Sequence, residues 1–477
     1  MADTKVNDVL TGRTENLLIV GIAGTGKTHS TINAARSLGL NSEFLGITST
    51  TSCSAKHIGG MTIHKFLGLG KNPESRCTAD IINRIDSSSK AKSRIKSVQL
   101  LVIDEVSMMS AQVFNIIDAV LRSFRQVDKP FGGVRLVLLG DFLQLPPVVV
   151  KASDMSYEEY SIKVRESWLF LSDAWKNGNF FALRLEEFQR SRDPILQRIV
   201  KNLSEGRLTP EDIADLNKRK INSIPVSSDI RNCSVVLSPL NSIVARINSK
   251  QIQQRVRKQT RAFMHAARDK GSPGILTQAE FSFPRFLTIG IGARVMFLKS
   301  YDNVLVSTGI NSKQATSRRV LIANGSLGYV RDYARFEFCK SRAKSADLIG
   351  RSPQTDFASE NMPRILVVCL EEGFEVFVGV DEEICDLAGE ETIRTQFPLC
   401  LAYALTIHKS QGKTLSCVHL SAEARHFFVP ALLYVAISRL TSLSGLSIDC
   451  ALDLSGVPIC PDEEVVRFYS ELFSVMQ

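Results

Sequence analysis

Four short apolar runs punctuate the first third of the chain, at residues 17–20, 43–47, 99–103 and 135–139. Each ends at a polar or glycine-containing segment, and polar, helix-competent stretches separate them. Uninterrupted apolar runs of this length read as strands buried on both faces, and their alternation with helical stretches predicts βαβ units around a parallel sheet. A second α/β region is predicted to begin near residue 180, with a strand at 234–237 and a helix at 241–253. Between about 255 and 393 the pattern changes to short β-type runs with glycine turns, at 293–298, 364–370 and 374–380. They predict a small antiparallel barrel or sheet inserted into the second region. Apolar runs resume at 399–407 and 416–420, followed by a helix over 429–438. One polar segment, 71–97, carries Arg84, Lys90, Lys92, Arg94 and Lys96. It reads as an insertion whose basic face is either solvated or in contact with DNA. No repeat or low-complexity tract is present.

Composition narrows the partners. A length of 477 residues with 44% hydrophobic content fits two to four globular domains. No apolar run reaches bilayer-spanning length, and the first ten residues lack a signal or transit pattern, so nucleus or cytoplasm is the expected compartment and no membrane partner is expected. The ten cysteines include no C-x-x-C pair, and the seven histidines have no metal-ligand spacing with them, so reduced thiols are expected. A formal charge of +9 favours a polyanionic partner, chiefly nucleic acid.

The chemistry concentrates at strand ends. Gly21-Ile22-Ala23-Gly24-Thr25-Gly26-Lys27-Thr28 follows the first apolar run and opens a helical stretch, the P-loop arrangement. Glycines let backbone N–H groups curl around phosphate oxygens, the helix N-terminus adds favourable partial charge, Lys27 reaches the β/γ-phosphates and Thr28 binds Mg²⁺. Gly21, Ala23, Gly24, Thr25 and Gly26 complete the expected ATP cradle. The run Leu101-Val102-Ile103-Asp104-Glu105 ends in two acids, so Asp104 is expected to hold Mg²⁺ and Glu105 to polarise the attacking water. In Gly140-Asp141-Phe142-Leu143-Gln144-Leu145-Pro146-Pro147, Gln144 is placed to touch both the γ-phosphate and that water, and the prolines stiffen the loop. Arg190 and Arg439 are read as arginine fingers on the transferring phosphoryl, with surface ion pairs as the alternative.

Two further stretches suit phosphate binding. Thr406-Ile407-His408-Lys409-Ser410-Gln411-Gly412-Lys413-Thr414 mixes donors, a glycine and cations, for either ATP, through Gln411 and Gly412, or a nucleic-acid backbone. Gly59-Gly60-Met61-Thr62-Ile63-His64-Lys65-Phe66 offers N–H groups, a hydroxyl, His64 and the Phe66 ring to a single strand, with core packing of His64 and Phe66 as the competing reading.

In this order the motifs resemble the PIF family of DNA helicases, in the RecD-like branch of superfamily one, from residue 16 to about 446. Carrying the resemblance are Gly24-Thr25-Gly26-Lys27-Thr28, Asp104-Glu105-Val106-Ser107-Met108, the loop 140–147, Ile407-His408-Lys409-Ser410-Gln411-Gly412 and Tyr434-Val435-Ala436-Ile437-Ser438-Arg439. The stretch from Ala119 to Gly133 and Asn324-Gly325-Ser326-Leu327-Gly328 are similar to the family's own. The resemblance implies an α/β fold with two RecA-like P-loop domains. The first spans 1–178, with a wedge insertion at about 71–97. The second spans 179–254 and 394–477, with an inserted β-barrel at 255–393. It implies an ATP- and Mg²⁺-dependent motor moving 5′→3′ on single-stranded DNA and opening duplex junctions, as a monomer or a weak DNA-induced dimer. Thr51, Thr62, His64, Asn241, His408, Lys409 and Ser410 become the DNA-contact candidates. G-quadruplexes and RNA–DNA hybrids stay open as further partners, as does a viral or mobile-element origin.

Some positions depart from the family pattern. No glutamine precedes Gln99, although the family reads adenine with an upstream one. Ser52 stands for a usual glycine, Lys65 for a serine, and Ala431-Leu432 for Gly-Gln. Two other classes remain as alternatives: a DNA-binding protein that no longer turns over ATP, and an unrelated P-loop enzyme such as a small-molecule kinase.

Overall fold

The computed structural model describes residues 2–70, 72–147, 149, 157–221, 235–257, 262–277, 279, 281–308, 316–335, 348–349, 363–369, 373–387, 390–421, 431–449 and 461–474. The chain divides into two compact units, Met1–Pro239 with Ser410–Gln477, and Leu240–Lys409.

The first unit is built on a six-stranded parallel sheet. Its strands are β1 (Asn16–Gly21), β2 (Leu45–Ser49), β3 (Met61–Thr62), β4 (Leu100–Asp104), β5 (Arg135–Gly140) and β6 (Phe180–Leu185), in the spatial order β3-β2-β4-β5-β1-β6. β4 is buried along its whole length, and β1 and β5 are buried after their first residue. That is why each reads as an unbroken apolar run rather than an alternating one. The order brings the C-terminal ends of β1, β4 and β5 together, where ligands of open parallel sheets bind.

Phe180–Leu185 corrects one expectation. Instead of opening a second α/β region it is the edge strand of the first sheet, paired along β1 from Asn16↔Phe180 to Gly21↔Leu185. Its half-buried pattern, including an exposed Arg184, is that of an edge strand. The parallel crossover before it runs through the helices Tyr157–Glu166 and Asp173–Lys176, whose polar sequence hid the connection.

Helices α1 (Ala2–Gly12), α2 (Lys27–Ser37), α3 (Ser52–His57), α4 (Ile63–Leu67), α5 (Thr78–Asp86), α6 (Ser89–Ser97) and α7 (Ala111–Arg125) surround this sheet. Within the polar segment 71–97, α5 and α6 drive Ile81, Ile85, Ala91 and Ile95 into the same core as Leu101, Phe114 and Phe142. Of its basic residues, Arg94 donates to the carbonyls of Lys65 and Phe66 and Lys92 pairs with Asp86. Arg84, Lys90 and Lys96 face solvent. A second, three-stranded parallel group in this unit joins Val235–Ser238, Val418–Leu420 and Leu446–Ile448, and the helix Ala431–Ser438 of the same unit is wholly buried.

The second unit opens with the helix Asn241–Arg257. Its main sheet runs Thr316–Ile322, Tyr301–Thr308, Glu375–Val378, Pro363–Cys369, Leu327–Arg335, Arg294–Phe297 and Leu399–Leu401, antiparallel throughout, with Leu348–Ile349 parallel to Glu375–Val378. Val295, Phe297, Val330, Val367, Phe374 and Phe397 form its core. Thus Leu399–Leu401, expected with the resuming α/β pattern, pairs with Arg294–Phe297 instead.

Among the described residues no helix is long and apolar enough to cross a membrane. Cys53, Cys77, Cys369, Cys385, Cys400 and Cys417 are thiols, while Cys233, Cys339, Cys450 and Cys460 lie outside the described residues, as do Ser234, Val429 and Lys258–Arg261 of the expected strand, helix and basic run.

Phe114 is fully buried between Phe131, 5.3 Å between ring centroids, and Phe180, 6.3 Å. Phe114→Ala is expected to lower unfolding free energy by about 3–5 kcal/mol, against less than ~0.5 for the exposed Val127→Ala, in urea titrations followed by circular dichroism.

Candidate nucleotide site

The loop between β1 and α2 turns on two glycines in the left-handed region, Gly24 at φ 95° and Gly26 at φ 81°. Any side chain there would be strained, and a Cβ on Gly24 would meet Arg190 Cβ at 2.9 Å and the Phe188 ring at 3.0 Å. Lys27 is 9% exposed, and its Nζ donates to the carbonyls of Gly21, at 2.5 Å, and Ile22, at 3.1 Å. Burial lowers its pKa, while Asp141, Glu105 and Asp104 oppose the shift.

The end of β4 supplies the acids. Asp104 accepts from Thr28 Oγ1 at 3.2 Å and from Ser54 Oγ at 2.6 Å. Burial first, then the neighbouring Glu105, push its carboxyl up to about 6. Glu105 has left-handed backbone at φ 56°, rare for a residue with a side chain, and lines the same cleft as Asp104. Thr28 and Asp104, two hard oxygen donors in contact at the phosphate loop, fit Mg²⁺.

The third strand end carries the Asp141–Gln144 turn. Asp141 Oδ2 accepts from Tyr434 Oη at 2.6 Å and Gln144 Nε2 at 3.1 Å, and Oδ1 accepts from the Leu143 N–H at 3.2 Å. Tyr434 in turn accepts the Ala23 N–H at 2.8 Å. One phenol thus bridges the phosphate loop and the glutamine loop. Its pKa is raised, first by burial and then by Asp141, so it stays a neutral donor.

Both arginines arrive here. Arg439, 1% exposed, donates from Nη2 to Gln144 Oε1 at 3.2 Å and from Nε to Val435 O at 3.0 Å. Arg190 donates to Ser438 O at 2.8 Å, and its own N–H and that of Gln189 donate to Gly24 O. Burial and the neighbouring Arg439 bring Arg190 down to about 10, still charged at neutral pH. Lys27, Thr28, Asp104, Glu105, Gln144, Arg190 and Arg439 therefore line one cleft of about 320 Å³, with Ala23, Gly24 and Gly26.

Other candidates fall elsewhere. Gly21 and Thr25 shape the loop from behind: a Cβ at Gly21 would lie 2.4 Å from Leu185 O, and Thr25 Oγ1 donates to Ile22 O. Gln411 and Gly412 do not line the cleft. Gln411 is buried against Ser107, and Gly412 sits beside Glu105, whose Oε1 would be 3.7 Å from a Cβ there. Sequence reasoning missed Tyr434 as a hub, Ser54 as a partner of Asp104, and His29 and Gln189 as cleft-lining residues. The available signal was a single phenol in a helix otherwise entirely apolar up to Ser438, since a buried tyrosine hydroxyl needs a partner.

The DNA candidates divide. Thr51 and Thr62 cap α3 and α4, accepting from Ser54 and Lys65 N–H groups. His64 is half-buried, which lowers its pKa and keeps it neutral. Phe66 is a correction: at 6% exposure it packs in the core and leaves no ring face for a base. Ser410 is buried. In the second unit Asn241 is exposed in the first turn of its helix, Lys409 is exposed, and His408 is half-buried with its pKa lowered by desolvation.

A family model described as PIF1-like helicase matches residues 1–205. Curated relatives extend the match: the ATP-dependent DNA helicase Pif1 of Psychrobacter sp. is 28% identical over 95% of this chain, and the human ATP-dependent DNA helicase PIF1 28% over 96%. The chain spans 68% of the bacterial relative's length and 61% of the human one's. Among solved structures, the Pif1 helicase from Candida albicans has a TM-score of 0.77 at 27% identity, covering 99% of this chain and 98% of that one. A Bacteroides Pif1 in complex with ADP-AlF3 and single-stranded DNA, at TM-score 0.72 and 22% identity over 99% and 96%, shares the fold. The chain therefore has a mixed α/β architecture with a parallel RecA-like core, the fold it shares with these structures.

Because the folded pKa of Asp104 exceeds the ordinary value of 3.8, the folded chain binds more protons between about pH 4 and 6, and stability falls as pH rises through 6. Asp104→Asn is therefore expected to stabilise the nucleotide-free chain by roughly 1–3 kcal/mol at pH 7.5 and by much less at pH 4.5. Urea midpoints at the two pH values check this.

Proposed function

We propose that this chain is an ATP-dependent DNA helicase that translocates 5′→3′ along single-stranded DNA and separates duplex strands. One observation carries the reading: Arg190 and Arg439, far apart in sequence, converge with Gln144 on the cleft that holds Lys27, Asp104 and Glu105. A binding protein that had given up turnover has no need of two arginines held there, one buried and one half-buried, because desolvating a guanidinium is expensive without a task or a partner. The names of its relatives support the nucleic-acid side of the reading.

In this mechanism ATP enters with its phosphates on the N–H groups of residues 23–28. Lys27 exchanges its contacts with Gly21 and Ile22 for the β/γ-phosphates. Thr28 and Asp104 would hold Mg²⁺, which would neutralise phosphate charge when bound. Glu105 orients and deprotonates the attacking water. Gln144, bonded to both Asp141 and Arg439, reads the presence of the γ-phosphate, and the two arginines stabilise charge on the transferring phosphoryl. Arg439 directly follows the helix that carries Tyr434, so loss of the phosphate shifts that helix against the phosphate loop. DNA is assigned to Thr51, Thr62, His64, Asn241, His408, Lys409 and Ser410. Thr51 lies three residues from Ser54, which bonds Asp104, a short path by which DNA contact reaches the metal site.

Lys27→Ala and Arg439→Ala are each expected to lower hydrolysis stimulated by single-stranded DNA by about 10³-fold, read by phosphate release. Half the wild-type rate in both would reject these roles. On matched substrates the chain is expected to open 5′-tailed and not 3′-tailed duplexes; the opposite preference would overturn the polarity.

A further inference from the structure

The helix Glu463–Ser474 contributes nothing to the lining of the nucleotide cleft, yet it touches the loop that does the sensing. Val465, Phe468, Tyr469, Leu472 and Phe473 recur at helical spacing and pack on the core of the first sheet. Phe468 stacks on Phe170, with ring centroids 4.1 Å apart and planes 7° apart, and meets Trp175 edge-on at 5.5 Å. It also meets Phe142 edge-on at 5.6 Å. Phe142, between Asp141 and Leu143 in the glutamine loop, is 1% exposed and lies edge-on to Phe170 at 5.3 Å and Trp168 at 6.0 Å.

The polar contact is more telling than the packing. The Phe142 N–H donates to Tyr469 Oη at 3.0 Å. The residue on one side, Asp141, accepts from Tyr434 Oη, and Gln144, two residues on the other side, bonds Arg439. The loop is therefore fixed by two phenols, one from the helix that runs into Arg439 and one from the last helix of the described chain. Packing alone would be met by a phenylalanine at 469. A tyrosine supplies the acceptor that the Phe142 amide otherwise lacks, and an unpaired buried amide would favour a different loop conformation.

We propose that Tyr469 is a positioning residue for ATP hydrolysis, fixing the Phe142 backbone so that the Gln144 side chain meets the γ-phosphate and its attacking water in register; this rests on the helicase reading above. Tyr469 acts through Gln144 and touches no substrate. Its loss moves the chemical step and leaves nucleotide binding, which rests on the phosphate loop, in place.

The test is steady-state ATP hydrolysis with saturating single-stranded DNA for the wild-type chain, Tyr469→Phe and Phe473→Leu, at a temperature where all three are folded by circular dichroism. Phe473 packs beside Tyr469, at 6.2 Å between centroids, with no hydrogen bond to the loop. Tyr469→Phe is expected to lower kcat roughly tenfold with KM for ATP within about twofold of wild type, and Phe473→Leu to lower the melting temperature while leaving kcat within about twofold. The proposal is overturned if Tyr469→Phe keeps its kcat, if KM rises as much as kcat falls, or if Phe473→Leu loses as much kcat as Tyr469→Phe. A wild-type chain without DNA-stimulated hydrolysis would instead remove the helicase reading, and this role with it.

Discussion

The arrangement depends on one buried carboxylate. Asp141, 1% exposed, takes three hydrogen bonds, from a tyrosine hydroxyl, a glutamine amide and a backbone N–H. An anion in that environment is tolerable only while its donors stay in place, so every donor is held in turn. Tyr434 must stay against the phosphate loop, Gln144 must keep its oxygen toward Arg439, and the loop must keep its turn. Displacing any of these exposes the others to an unpaired buried charge, which makes the network prone to switch as a unit rather than to soften gradually.

Lys27 and Arg190 show the same logic at the cleft. Burial lowers both, and nearby acids partly restore the charge of Lys27. A bound triphosphate would meet cations that have already lost much of their water, so its charge is felt at short range and low dielectric. The Asp104–Glu105 pair is the counterpart: two acids crowded together, one of them pushed toward protonation, whose crowding the proposed Mg²⁺ would relieve.

Much of the site was legible because its residues sit in runs that announce themselves. A buried parallel strand must be apolar throughout, and the polar residue that ends it is placed at the binding edge, so Lys27, Asp104, Glu105 and Gln144 were recoverable from local pattern alone. Phe180–Leu185 was not, since its charged Arg184 and its distance from the earlier runs look like a separate beginning, and only pairing with β1 reveals where it belongs. Phe66 illustrates a different limit: an aromatic beside a histidine and a hydroxyl has the composition of a stacking platform, but Leu101 and Phe66 close on Gly46, and the ring serves the core. The roles of Tyr434 and Tyr469 were hidden, Tyr434 inside a stretch read only for Arg439 and Tyr469 outside every motif, because a phenol acts here through partners hundreds of residues away, 293 for Asp141 and 327 for Phe142.

The backbone of Glu105 has a geometric outcome. Along a strand, neighbouring side chains point to opposite faces, so two consecutive acids continuing β4 would have sent one carboxylate toward each side of the sheet. The left-handed turn at φ 56° breaks that alternation at the last possible residue and swings both into the same space. Handedness at a single α-carbon is thus what converts an ordinary strand ending into a double-acid mouth, and any substitution there must satisfy a conformational requirement before its chemistry is even consulted.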